Sequence, residues 1–267
     1  FPLHAYLIIV FGDIPAISMI MRMKGHNGLS PCRFCHIHGL RTPGSRATTH
    51  YVPLSRKRHP DVISNRDAVK VYKPADLPLR SHDEFMNQAE AVEGASTEAE
   101  RERLAKSCGI KGVPLLSCLT SLSFPASFPY DFMHLIWENV IKNLLLLWTG
   151  EYKDLNTGSE DYQLEKRVWD AIGEATAACG STIPSAYGPR QPNIAQDKSG
   201  CTADSWSFWT LYIGPVLLNR RFKHEKYYRH FIDLVSVLDL CLSFEYSDAD
   251  IRAIDEGFIA WVEMYER

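Results

Sequence analysis

Four kinds of side chain in this sequence have types and spacings suited to chemistry: a carboxylate, a pair of thiols, several imidazoles and a run of cations. Asp13 directly follows the apolar run Ala5 to Phe11 across Gly12. A carboxylate at the end of a buried strand projects from the sheet edge, where a hard Mg²⁺ or Mn²⁺ ion takes oxygen ligands. Two-metal phosphoryl transfer needs several such carboxylates meeting at one point. The same residue type in the same place also serves as a helix N-cap, so the ligand and cap readings stand side by side. Cys32 and Cys35 form a C-x2-C pair, the spacing that lets two thiolates grip one zinc ion through a tight knuckle. A pair supplies half of a tetrahedral site, and His36, His38, His50 and His59 follow closely as candidates for the other half. The alternative is two buried thiols. No closely spaced histidine pair follows at finger distance, which excludes a stand-alone zinc finger. Further on, Asp131 and His134 stand three apart on a candidate helix, where they share a face and a possible ligand, although Asp131 also reads as an N-cap.

These groups need elements to position them. Ala5 to Phe11 is a continuous β-branched and aromatic run, which predicts a strand buried on both faces. From Ile14 the apolar residues recur at helical spacing behind Pro15, so the opening reads strand, carboxylate, helix. Gly25 to Arg46 is rich in Gly, Pro and His, and His50 to Leu54 is a second strand candidate. Beyond Ser81 the periodicity is helical. It predicts helices over Ser81 to Lys106, Tyr130 to Trp148, Tyr162 to Ala178, Ala203 to Leu218, Phe222 to Phe244 and Ser247 to Glu266. A long loop, Cys179 to Gly200, interrupts them. The aromatic cluster Trp206, Phe208, Trp209 and Tyr212 reads as helix packing ahead of a base-stacking platform. A strand-bearing start followed by an unbroken helical run predicts an α+β fold, with a first domain over 1–80 and a helical region over 81–267.

Composition sets wider bounds. Hydrophobic residues make up 45% and charged residues 23% of the 267, which excludes disordered and fibrous classes. The net charge of −3 hides a strong polarity along the chain. Twelve Lys and Arg between Arg22 and Arg80, Arg46 among them, face only Asp61, Asp67 and Asp76, whereas seven acids between Asp83 and Glu102 face only Arg101. The basic block, with Arg56, Lys57 and Arg58 at its centre, suits DNA phosphates, and a solvated loop surface is its bland alternative. No run approaches the roughly 18 to 20 apolar residues of a membrane span, so no membrane partner is expected. Seven scattered cysteines predict a reducing compartment, the nucleus or otherwise the cytoplasm. The chain opens on Phe1 with no signal-like segment, which predicts an internal piece of a longer protein.

Taken in order, these motifs resemble the CACTA (En/Spm-like) DDE transposases, in particular their fungal Plavaka-type branch. The residues that carry the likeness are Gly12-Asp13-Ile14-Pro15-Ala16, Cys32-Arg33-Phe34-Cys35, His50-Tyr51-Val52-Pro53-Leu54 with His59-Pro60, Gly109-Ile110-Lys111-Gly112, and Asp131-Phe132-Met133-His134 with Asn139-Val140. The resemblance implies a partial RNase H-like core of two strands plus helix with a zinc-binding element, followed by a large all-α insertion. It makes Asp13 the second catalytic aspartate and places the first aspartate and the glutamate outside this chain. It also implies structural Zn²⁺ on Cys32, Cys35, His50 and His59, catalytic Mg²⁺ or Mn²⁺ in the intact protein, and transposon-end and target DNA as partners. In that reading the fragment is inactive alone, the intact enzyme oligomerises, and Arg56, Lys57 and Arg58 meet the DNA backbone. The alternative is a non-catalytic zinc-containing DNA-binding or interaction module of transposon origin.

Overall fold

The computed structural model describes residues 4–43, 50–152, 160–187, 190–198 and 200–267. They divide into two compact units, Phe1–Asp131 with Glu266, and Phe132–Tyr265 with Arg267. Arg46 lies outside the described residues, as does part of the loop predicted over 179–200.

The expected α+β core is not what forms. About 49% of the chain is helical, and among the described residues there is no strand or sheet, which overturns the partial RNase H-like core. Isolated bridges such as Leu40 with Tyr51 and Ser55 with Val71 are the nearest approach to a ladder. The reason lies in pairing. Ala5 to Phe11 is extended, but its recorded backbone bonds are Val10 N–H to Ser127 O at 2.9 Å and Leu7 O from the Ser121 hydroxyl at 2.6 Å. Tyr6, Ile8 and Phe11 are 74%, 63% and 67% exposed, the reverse of a strand buried on both faces. A strand is stabilised by a neighbouring strand, and among the described residues none pairs with this run. His50 to Leu54 makes one bridge, Tyr51 with Leu40, and Leu54 O accepts the Tyr72 N–H at 2.9 Å, without forming a ladder.

The first unit is built from short helices around an aromatic core. α1 (Ile14–Ile20) begins at Asp13, with Pro15 in its first turn. α2 (Pro60–Ser64) is capped by His59. The helix expected over 81–106 is two: α3 (His82–Glu93) and α4 (Glu98–Cys108). The break falls at Gly94, after which Thr97 starts a new helix by accepting the Glu100 N–H at 3.2 Å. Phe85, Ala89 and Val92 recur at i, i+4 and i+7, so α3 buries one stripe against Ile17, Met21 and the pair Phe124 and Phe128, whose rings lie 4.6 Å apart. Each such buried side chain contributes about 1.5–3 kcal/mol.

The second unit is all helical. A π-helical stretch, Met133–Ile141, runs into α5 (Lys142–Trp148), followed by α6 (Lys166–Cys179) and α7 (Ala203–Phe208). A second π turn, Trp209–Ile213, leads into α8 (Gly214–Leu217). Trp209 is fully buried at the centre, edge-on to Trp169 and Trp206, and its indole N–H donates to Thr176 Oγ1 at 3.1 Å. Trp206 is buried with it, whereas Tyr212 is 62% exposed.

α9 (Glu225–Cys241) and α10 (Asp248–Tyr265) complete the unit as an antiparallel hairpin. Gly257 permits their close approach, since a Cβ there would meet Val237 Cγ2 at 2.5 Å. Near the open end, His230 stacks on Trp261 at 4.7 Å and 6°, its Nε2 donating to Trp261 O while Trp261 Nε1 donates to His230 O, both at 3.0 Å. Burial lowers the His230 pKa. A base whose folded pKa is depressed is neutral in the fold and takes up its proton on unfolding, so its contribution is present above the ordinary imidazole value of about 6.5 and is lost as pH falls below it. Thermal unfolding of the second unit is therefore expected at lower temperature at pH 5 than at pH 7.5. His230→Phe, which keeps the stack, should flatten that dependence in a pH series followed by circular dichroism.

Candidate metal and nucleic-acid site

The C-x2-C pair sits on a loop clamped from below by two helices. Ser30 packs so closely over the end of α4 that a Cβ on Gly109 would lie 2.1 Å from Ser30 O, and Gly109 also holds φ at +80° as the α4 cap. Arg80, 5% exposed, reaches in from the start of α3. Its guanidinium donates to Cys35 O at 3.3 Å, Ser30 Oγ at 2.8 Å, Cys108 O at 2.7 Å and Gln88 Oε1 at 3.2 Å. On the other side Arg33, 3% exposed, donates to Phe128 O at 3.2 Å and lies 4.3 Å over the Tyr130 ring.

The two thiols of the pair differ sharply in acidity. The Cys35 thiol donates to Cys32, which lowers the Cys32 pKa to about 5 against an opposing effect of burial; the Tyr130 hydroxyl at 3.6 Å and the Phe34 N–H at 3.4 Å add to the lowering. Cys35 moves the other way, raised because its proton is held by Cys32 and because it is buried. Burial and the neighbouring Cys32 thiolate likewise raise Tyr130. The two shifts have opposite sign, so the pair favours a thiolate at Cys32 over one at Cys35. Two positions of a zinc tetrahedron fit this arrangement, because the thiolate is the ligating form of cysteine.

The imidazoles are distributed differently from the ligand set the resemblance implies. His59 has both nitrogens engaged, Nδ1 accepting the Asp61 N–H at 3.3 Å as the α2 cap and Nε2 against Arg41 O at 2.8 Å. His36 Nε2 lies 3.0 Å from Glu84, and His38 Nε2 3.1 Å from Ser107 O. His50 packs against Gly39, with Nδ1 buried and unbonded. Among the described residues, no three His, Cys, Asp or Glu side chains gather as a metal-holding group. The thiol pair is thus assembled, and Cys32, Cys35, His50 and His59 do not come together as a four-ligand set.

Asp13 lies at the N-cap of α1, where Oδ1 accepts the Ala16 N–H at 2.6 Å. Asp131 closes the first unit and His134 lies in the π-helical stretch of the second; neither side chain stands free. The basic block separates into two populations. Arg33, Arg56 and Arg80 are buried, whereas Lys57, Arg58, Arg66, Lys70 and Lys73 are exposed. Arg56 donates to Pro53 O at 3.0 Å and His38 O at 2.9 Å and lies over Tyr72, so it is turned inward and only its neighbours Lys57 and Arg58 face solvent. Sequence reasoning missed Arg80 and Tyr130 as partners of the thiols. They are 45 and 98 residues away from Cys35 and Cys32 respectively, and no local pattern marks them.

Comparison with models of known protein families, with curated proteins and with solved structures gave no match.

Two outcomes follow from this geometry. Alkylation of metal-free protein by iodoacetamide, read by mass spectrometry, is expected to modify Cys32 well before Cys35, with a rate that inflects near pH 5; Tyr130→Phe should move the inflection upward. Arg56→Ala leaves the part-buried carbonyls of Pro53 and His38 without this donor and is expected to cost about 1 kcal/mol in denaturant unfolding, while Lys57→Ala leaves stability within about 0.5 kcal/mol.

Proposed function

We propose that this chain is a zinc-holding, DNA-contacting part of a cut-and-paste DDE-type transposase and does not cleave DNA by itself. The observation that carries the reading is the Cys32 and Cys35 pair, three residues apart on a loop that the buried Arg80 bonds through Cys35 O, in the place where the resemblance expects a zinc element. Zinc bound there acts structurally, tying the loop to the unit and adding its binding free energy to folding. Cys32 and Cys35 are its anchors. His59 would have to give up a hydrogen bond to join the ligand set, whereas His50 keeps an unbonded nitrogen.

DNA contact is assigned to the exposed cations from Lys57 to Lys73, which have few acids among them in sequence. Five cations on a short exposed stretch fit backbone recognition through phosphates, which fixes position without reading bases. Asp13 is proposed as one carboxylate of the intact enzyme's metal centre; its α1 capping bond uses Oδ1. In that enzyme paired Mg²⁺ or Mn²⁺ would activate water and then a 3′ hydroxyl.

The tests separate these roles. Purified chain is expected to bind close to one equivalent of zinc, a capacity lost in Cys32→Ser and Cys35→Ser and kept in His59→Asn. Zinc retention at full stoichiometry by the Cys32→Ser, Cys35→Ser double variant would overturn the assignment. Binding to duplex DNA should weaken steeply with salt, and Lys57→Ala with Arg58→Ala should lower the log–log salt slope by about 0.9 for each phosphate contact removed. Nicking of DNA with Mg²⁺ or Mn²⁺ that disappears in Asp13→Ala would show instead that the chain is catalytic alone.

A further inference from the structure

The second unit presents a groove and a knob with opposite characters. The groove, about 320 Å³, lies between α6 and α8, floored by Val168, Ala171, Ile172, Ala175 and Leu217. Arg167 and Arg221 stand at its rim, both exposed. Arg167 is paired with Glu165 through Nε at 2.6 Å. The volume matches a site for an aromatic side chain or small ligand, and the rim selects for negative charge.

The knob is the turn joining α9 to α10. Phe244 at its tip is fully exposed at 104%, flanked by Leu242 and Tyr246 at 45% and 46%. Tyr246 fixes the turn by donating its hydroxyl to Cys241 O. Glu245 and Asp248 are exposed beside it, and Asp250, bonded to Ser247, is held below the usual carboxylate range by that hydroxyl. An aromatic anchor ringed by carboxylates is the complement of an apolar groove rimmed by guanidiniums. Phe244 is not seated in the groove of its own chain, since it is fully exposed.

We propose that the groove between α6 and α8 receives the Phe244 tip of a second copy of this chain, with Arg167 and Arg221 against Glu245 and Asp248. The contact is heterologous, because the two copies use different surfaces, so each added copy offers a fresh groove or a fresh tip. The chain therefore associates beyond the dimer, as a ring or an open row, with a strength that falls as salt screens the rim.

Sedimentation velocity over a concentration series tests this directly on the whole chain. Wild type is expected to show species larger than a dimer as concentration rises. Phe244→Ser and Arg221→Glu lie on the surface, and each alone should sediment as a monomer, with association at least ten-fold weaker. Mixing the two variants should restore a single 1:1 complex that grows no further, because one supplies an intact groove and the other an intact tip. Ala171→Phe, which fills the groove, should behave like Arg221→Glu. A wild-type chain that stays monomeric at every concentration, association that survives Phe244→Ser, or a mixture that forms no complex would each overturn the proposal. So would a monomer whose groove binds an apolar dye that the Phe244 tip fails to displace, since the groove would then belong to a different occupant.

Discussion

The first unit depends on one buried cation. Arg80 is almost fully removed from water, and an isolated charge in that position would be strongly unfavourable. Four oxygens on three segments offset the cost: those of Ser30 and Cys35 on the thiol loop, Gln88 on α3, and Cys108 at the end of α4. Burial lowers the Arg80 pKa, and the nearby cysteines oppose that effect. The guanidinium is thus the bracket that holds the loop against the helices. Exchange for lysine would keep the charge and lose the planar fork that reaches all four oxygens at once.

What the sequence disclosed depended on how local the governing interaction was. The helices beyond Ser81 were legible because their apolar stripes repeat within each segment; Phe85, Ala89 and Val92 are an example, whereas the break at Gly94 and the π-helical stretches Met133–Ile141 and Trp209–Ile213 were missed. Asp13 as a cap was legible for the same reason, since its partner Ala16 is three residues away. The strand expected over Ala5 to Phe11 failed because strand character is half of an interaction. The residues are suited to a sheet, but the backbone partners have to come from elsewhere, and among the described residues they are not supplied.

The site was legible at the level of residue type and opaque at the level of partner. C-x2-C spacing marked the sulfurs as a pair. The histidines, by contrast, looked interchangeable in sequence. Their bonds distinguish them: His59 is a cap, His36 faces a carboxylate, and His50 keeps a nitrogen without a partner. The cations divide in a similar way. Arg33, Arg56 and Arg80 each sit near Pro, Gly or Cys in loop sequence, where irregular backbone leaves carbonyls that no ladder satisfies, and the arginines satisfy them.

That division explains why arginine and lysine are not used alike across the basic block. The inward positions are all arginine, which can remain charged while donating several directed bonds and can stack on Tyr130 or Tyr72. The outward positions mix Lys57, Arg58, Arg66, Lys70 and Lys73, as suits a surface that has only to present positive charge. A loop region with no sheet beneath it among the described residues thus obtains its rigidity from arginines turned inward. Removing cations indiscriminately from this block would confuse collapse of the loop with loss of surface charge, and only substitutions confined to the exposed set separate the two.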